Sequence, residues 1–150
     1  MTDVWFYHLQ GQSLEGVLPN LIERSLERGW RVVVQGASEE RVEALDAHLW
    51  TYRDESFLPH GTWRETEVAA QPVLLTVRDD NPNAANVRFL IEGAEMPSDV
   101  SDYERVVLIF DGDDEEAVAV ARQRWTAAKD TGHAVTYLQQ DENGRWVRKA

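Results

Sequence analysis

Along the 150-residue chain, hydrophobic positions follow two spacings, one typical of buried strands and the other typical of amphipathic helices. Residues 4–9 form a short apolar and aromatic run, which predicts a strand buried on both faces. Residues 14–26 carry apolar side chains at helical spacing, and Gly29 follows as a stop signal. Residues 31–36 predict a second strand, after which Ser38 is a natural N-cap for a second helix. The apolar positions of that helix are Val42, Leu45 and Leu49.

The remaining elements continue the same mixture of strands and helices. Further apolar runs predict strands at residues 71–77, 87–91, 105–110 and 134–139, and helical spacing predicts a long helix over 114–130 that Gly132 ends. Residues 142–145 predict a C-terminal hairpin with a type I′ turn at Asn143-Gly144. We therefore expect one α/β domain over 1–150, in which helices flank a mostly parallel sheet.

The charge is strongly acidic overall but unevenly distributed. The formal net charge is −12, which argues against direct binding to a nucleic-acid backbone. Residues 120–150 nevertheless hold six Lys or Arg against three Asp or Glu, whereas residues 1–119 hold nine against 24. A basic end on an acidic body suggests a local anionic partner, although helix C-termini and chain ends often collect basic residues as well.

Three features that the sequence lacks limit the expected cellular location and chemistry. The chain has no Cys, which excludes thiolate nucleophiles and Cys-ligated metals and fits a reducing compartment. Its first residues lack the basic and apolar regions of a signal peptide, and no apolar stretch approaches the roughly 20 residues of a membrane span. We expect a cytoplasmic protein that does not enter a membrane.

Neither of the first two strand-to-helix turns resembles a phosphate-binding loop. Residues 10–16 match neither the P-loop nor the dinucleotide-binding pattern, and Glu15 would repel a phosphate. Residues 36–40 place Glu39 and Glu40 at the start of the second helix, where they would also repel an anion. We therefore expect no nucleotide and no other cofactor.

One acidic cluster leaves an enzymatic alternative open. Residues Asp111 to Glu116 follow a strand, where α/β enzymes place catalytic groups, and their carboxylates could hold Mg²⁺ in a small-ligand enzyme. The competing interpretation is an acidic first helical turn that offsets the helix dipole. The four His have no metal-binding spacing, and no GxSxG motif is present. We favour a protein without catalytic residues and expect no bound metal.

Residues 49–60, LWTYRDESFLPH, combine large apolar side chains with charges, a Pro and a His. The stretch resembles the chi subunit of bacterial DNA polymerase III, in its Leu49-Trp50 and in Ser56-Phe57 followed by Pro59-His60. The resemblance extends over the chain, through the matching residues Trp5-Phe6-Tyr7, Leu45-Asp46, Ala121-Arg122, Arg124-Trp125, Lys129 and Gly132.

That resemblance implies a Rossmann-like fold and a non-catalytic adaptor in DNA replication. Chi subunits bind the acidic, apolar C-terminal tail of the single-stranded-DNA-binding protein. They also bind the psi subunit of the clamp loader, or in some bacteria a helicase in its place. Carried over to this chain, the tail site comprises Arg122, Trp125, Thr126 and Lys129, and the surface for psi or an equivalent partner comprises Trp50 and Phe57.

The spacing of the implied tail site agrees with this assignment. Arg122, Trp125 and Lys129 share one helix face, where two cations beside an indole suit a peptide that ends in an apolar side chain and a carboxylate. The alternative is that Trp125 belongs to the core and the basic side chains extend around it. Chi subunits often have Lys where this chain has Thr126, which should weaken capture of the tail. Nearby arginines could compensate, namely Arg124, Arg145 and Arg148.

Overall fold

The computed structural model describes residues 2–51 and 59–150, which form one twisted sheet with helices on both faces. The strands are β1 (Asp3–Leu9), β2 (Val32–Gln35), β3 (Gly61–Thr62), β4 (Val73–Thr76), β5 (Val87–Ile91), β6 (Arg105–Asp111), β7 (Ala134–Gln140) and β8 (Trp146–Arg148). The helices are α1 (Leu14–Glu27), α2 (Glu39–Thr51) and α3 (Glu115–Asp130), with a short 3-10 helix at Val68–Ala70. No helix in this part of the chain is long and apolar enough to cross a membrane.

The sheet has the order β3-β4-β2-β5-β6-β1-β7-β8, and every pairing is parallel except that of β7 with β8. The predicted α/β class, the mostly parallel sheet and the C-terminal hairpin are therefore confirmed. The sequence prediction omitted β3 and the 3-10 helix. β3 has only two residues and is defined by its pairing with β4, which no local pattern reveals.

The two faces of the sheet carry separate apolar clusters. On β1, Trp5 and Tyr7 belong to the cluster that α1 and α2 cover, whereas Val4 and Phe6 belong to the cluster under α3. This alternation follows from the two-residue period of a strand. The central strands are buried on both sides, and each fully buried Val or Leu stabilises the fold by about 1.5–3 kcal/mol.

The predicted type I′ turn in the hairpin is wrong. Gly144 has a φ of +77°, but Asn143 does not have the positive φ that a type I′ turn requires there. The Asp141 carboxylate instead accepts hydrogen bonds from the backbone N–H groups of Asn143 (2.8 Å) and Arg145 (2.9 Å). This side-chain turn at Asp141 sets a longer loop, in which only Gly144 is left-handed.

Candidate functional site

The acidic cluster at Asp111–Glu116 forms the start of α3. The Asp114 carboxylate accepts hydrogen bonds from the backbone N–H groups of Glu116 (3.0 Å) and Ala117 (3.3 Å), so it is the N-cap. Asp111 accepts one from the N–H of Asp113 at 2.9 Å. In the described ranges, no group of three or more acidic or His side chains is arranged to hold a metal ion. The cluster thus has a structural role in starting the helix.

The outward face of α3 carries the residues assigned to the tail site. Arg122, Thr126 and Lys129 are exposed, and Trp125 is partly buried among them. The Lys129 ammonium lies 5.6 Å from the centre of the Trp125 ring, within the range of a cation–π contact. The Thr126 hydroxyl donates to the Arg122 carbonyl at 3.2 Å. The predicted helix face therefore exists, with one cation on each side of an indole.

The inner part of the Trp125 ring packs on the sheet. Its ring centre lies 5.4 Å from that of Phe6 and 5.7 Å from that of Tyr137, both in edge-to-face geometry. The competing interpretation of Trp125 as a core residue is therefore correct for the inner part of the ring. Because the side chain is only partly buried, the ring also forms part of the surface between Arg122 and Lys129.

Two polar residues that sequence reasoning did not assign to the site lie beside it. The His8 Nδ1 atom is 2.6 Å from the Tyr137 hydroxyl, and the missing side chain of Gly112 leaves room for the His8 ring. Burial lowers the pKa of His8, Asp113 and Asp111 oppose that change, and Arg122 adds to it. Burial raises the pKa of Tyr137, and Arg122 opposes the rise. Arg122 thus acts electrostatically on both members of this pair.

Arg124 is not available to compensate for Thr126. Its guanidinium donates to the Ala94 carbonyl at 2.6 Å, and burial lowers its pKa. It lines a cavity of about 310 Å³ between α3 and the β5–β6 side of the sheet, with Val120 at its rim. Arg145 and Arg148 are exposed on the hairpin.

The second predicted surface lies at the C-terminal end of α2. The Trp50 side chain is 50% exposed, and its ring centre lies 4.2 Å from that of the buried His60. The His60 Nε2 atom is 3.2 Å from both the backbone carbonyl and the Oδ1 atom of Asp46. Burial raises the pKa of Asp46, while His60 opposes the rise. Trp50 is therefore a large, half-exposed ring on a fixed support, and Phe57 lies outside the described residues.

The crevice at the carboxyl ends of β1 and β6, where Rossmann-like proteins bind nucleotides, is lined by carboxylates. Arg41 lies in this cavity of about 620 Å³, but it is paired with Glu15 at 2.7 Å and Glu92 at 3.0 Å. The Ser13 side chain caps the N-terminus of α1 by accepting from the Gly16 N–H at 3.2 Å. The surroundings therefore disfavour an anionic ligand.

Comparison with known proteins points to one family. Residues 1–136 match the family model described as DNA polymerase III chi subunit, HolC. A protein of Rickettsia prowazekii described as a probable DNA polymerase III subunit chi is 28% identical over 111 residues, covering 70% of this chain and 67% of its own. The DNA polymerase III subunit chi of Pseudomonas aeruginosa is 29% identical over 109 residues, covering 71% and 75%.

Proposed function

Because the chain belongs to the DNA polymerase III chi subunit family, an accessory subunit family in DNA replication, we propose that it is an adaptor without catalysis of its own. In this proposal it connects the C-terminal tail of the single-stranded-DNA-binding protein to the clamp loader. The loader contact is made through psi or an equivalent partner, in the cytoplasm. The protein itself does not bind DNA, since a net charge of −12 opposes contact with phosphates.

The proposal depends above all on the exposed face of α3. Arg122 and Lys129 form no ion pair within the described residues, and the Trp125 indole lies between them. Two free cations can bind the acidic side chains and terminal carboxylate of a tail, while the ring packs against its apolar residue. On so acidic a protein, this face is a local positive patch suited to an acidic peptide.

The contact with the clamp loader is assigned to the end of α2. Trp50 lies on the face of the sheet that α1 and α2 cover, whereas Arg122 and Lys129 lie on α3 on the opposite face. A half-exposed Trp is a typical anchor at a protein interface, because its large ring gains most from being covered. Placing the two contacts on opposite faces would let one molecule hold both partners at once.

The tail site is tested by titrating the protein with a peptide that copies the tail. The double substitution Arg122→Glu and Lys129→Glu should weaken binding by about 2 kcal/mol, roughly 30-fold, because two attractions become repulsions. Arg78→Glu is the matched control, since Arg78 is an exposed arginine away from α3. Unchanged affinity in the double variant, or no binding by the wild type at low salt, contradicts the assignment.

The loader contact is tested by co-purification with the clamp-loader proteins. Trp50→Ala combined with Phe57→Ala should abolish recovery of the partner while the far-ultraviolet circular dichroism stays unchanged. Val147→Ala, another exposed apolar residue, should have no effect. Full recovery of the partner with the double variant would show that the interface lies elsewhere. Loss of folded protein would show that both rings belong to the core.

A further inference from the structure

A second cationic site lies on the face of the sheet opposite to the Trp125 ring. Between the C-terminal end of α1 and the sheet is a cavity of about 250 Å³, which we name the arginine–tryptophan pocket. Strand β1 contributes Trp5 and Tyr7 to it, whereas Phe6 points to the other face, under Trp125. The charged and aromatic residues that line it are Trp5, Tyr7, Arg24, Arg28, Trp30 and Arg105.

Two arginines of this pocket, Arg28 and Arg105, lie over aromatic rings. The guanidinium carbon of Arg105 lies 3.8 Å from the centre of the Trp5 ring and 5.2 Å from that of Trp30. The guanidinium of Arg28 lies 4.9 Å from the Trp30 ring. Stacking of this kind uses the face of the guanidinium and leaves its in-plane N–H groups free to donate.

Acceptors for these N–H groups are lacking in the described part of the chain. Within residues 2–51 and 59–150, the guanidiniums of Arg24, Arg28 and Arg105 form no hydrogen bond and no ion pair, and the buried Nε of Arg105 has no partner. The Tyr7 hydroxyl also forms no hydrogen bond there. Leaving a buried donor unpaired costs about 1–3 kcal/mol, so the Arg105 Nε is an unsatisfied donor in this pocket, whereas the exposed Arg24 and Arg28 are open to solvent.

All three cations line the pocket together with Tyr7. Burial raises the pKa of Tyr7, and the charges of Arg105, Arg24 and Arg28 all oppose the rise, so each guanidinium acts on the Tyr7 hydroxyl. Burial also lowers the pKa of Arg105, and repulsion from Arg28 adds to this effect, although Asp3 and Glu104 oppose it from outside contact distance. The lining of the pocket therefore carries three positive charges and no negative one.

The helix dipole explains only part of this arrangement. Arg24 and Arg28 lie at the C-terminal end of α1, where basic side chains are favoured in any helix. Arg105 has no such reason for its position, because it is the first residue of β6 and its guanidinium lies over the rings of Trp5 and Trp30. A partly buried cation whose Nε donor is buried and unpaired requires a different explanation.

We propose that the arginine–tryptophan pocket binds the phosphoryl group of a small ligand. Several N–H donors and a hydroxyl surround a cavity without a carboxylate, which matches the many acceptor oxygens of a phosphate. A phosphate monoester carries about −1.5 to −2 charges at neutral pH and balances three guanidiniums better than one carboxylate does. A volume of about 250 Å³ holds a phosphoryl group with few attached atoms. This site is independent of the proposed adaptor role.

Calorimetric titration with inorganic phosphate, at constant ionic strength kept with chloride, tests the proposal. We expect saturable binding that Arg105→Gln and Arg28→Gln each weaken at least tenfold. Arg28 is exposed, so its variant remains informative if Arg105→Gln does not fold. Arg78→Gln, an exposed arginine outside the pocket, is the matched control and should bind phosphate like the wild type.

Further titrations identify the ligand class. A nucleoside monophosphate that binds more tightly than phosphate would identify a nucleotide as the ligand, and equal affinity would identify the phosphoryl group alone. Both results support the site. The absence of saturable binding, equal binding of glutamate and phosphate, or affinity unchanged in both pocket variants overturns the proposal.

Discussion

Replacing Arg88 by Met should destabilise the protein strongly, although Arg88 belongs to neither of the candidate sites on α2 and α3. Its side chain is completely buried in β5, and it forms no ion pair with a carboxylate in the described residues. All five of its N–H groups have acceptors. These are the Gln35 Oε1 atom (twice, 2.8 and 2.6 Å), the Asp80 carbonyl (2.9 Å), the Tyr103 hydroxyl (2.9 Å) and the Arg78 carbonyl.

The size of the expected loss of stability depends on the buried acceptors that lose their hydrogen-bond donor. Met fills most of the volume, but the Gln35 amide oxygen and the Tyr103 hydroxyl stay buried without this donor, at about 1–3 kcal/mol each. The carbonyls of Arg78 and Asp80 can be hydrated from an adjoining cavity of about 450 Å³, which Gln35 also lines, so the cost at Gln35 falls at the lower end of this range. Removing a buried charge recovers part of the loss. The net effect should be about 3 kcal/mol, because only one side of the network is replaced.

Urea and thermal denaturation measure this effect. For a domain of this size, about 3 kcal/mol corresponds to a decrease in Tm of roughly 6–12 °C. Arg78→Met is the control, since its exposed side chain should contribute no more than about 0.5 kcal/mol. An Arg88→Met variant as stable as the wild type would refute the reasoning, by showing that the charge costs as much as its hydrogen bonds contribute.

Three further predictions concern pH and packing. Because the pKa of His8 is lowered, its stabilising contribution is present above about pH 6.5 and is lost as the pH falls. The free energy of unfolding of the His8→Gln variant should therefore decline less between pH 7.5 and 5 than that of the wild type. Burial raises the pKa of Tyr103, so its contribution is complete below about pH 10 and is lost at higher pH; spectroscopic titration should show tyrosinate forming later in the folded than in the unfolded protein. Gly112→Ala should lower the free energy of unfolding by about 1–3 kcal/mol, because the added Cβ would overlap the His8 ring and lie 2.6 Å from the Leu9 carbonyl oxygen. Urea denaturation measures this effect, and stability equal to that of the wild type would show that the loop adjusts freely.

The sequence predicts the regular elements well because their periodicity is strong. The helix predicted over 14–26 is observed at Leu14–Glu27, and the central strands are runs of apolar residues buried on both faces. The turn at residues 142–145 was mispredicted because the Asn-Gly signal is local, whereas the Asp141 carboxylate sets a different loop. The burial of Arg88 has no signal in the local sequence, since its acceptors come from three other segments.

The candidate site was likewise predictable only where neighbouring residues belong to one helix. The spacing of Arg122, Trp125 and Lys129 was enough to predict a common helix face, because a helix fixes which residues are neighbours. The pair His8 and Tyr137 could not be predicted, since their contact depends on β1 and β7 being adjacent in the sheet although 129 positions separate the two residues. Strand order is a tertiary property that no local pattern encodes.

In the proposed role, one molecule holds both partners at the same time. The most direct measurement uses immobilised single-stranded DNA coated with its binding protein and records arrival of the purified clamp loader by surface plasmon resonance. We expect the loader to be retained only when this protein is present. Retention should fall strongly with the double variant Arg122→Glu and Lys129→Glu, and it should be lost with the double variant Trp50→Ala and Phe57→Ala. Equal retention without the protein, or with either double variant, would contradict this adaptor role.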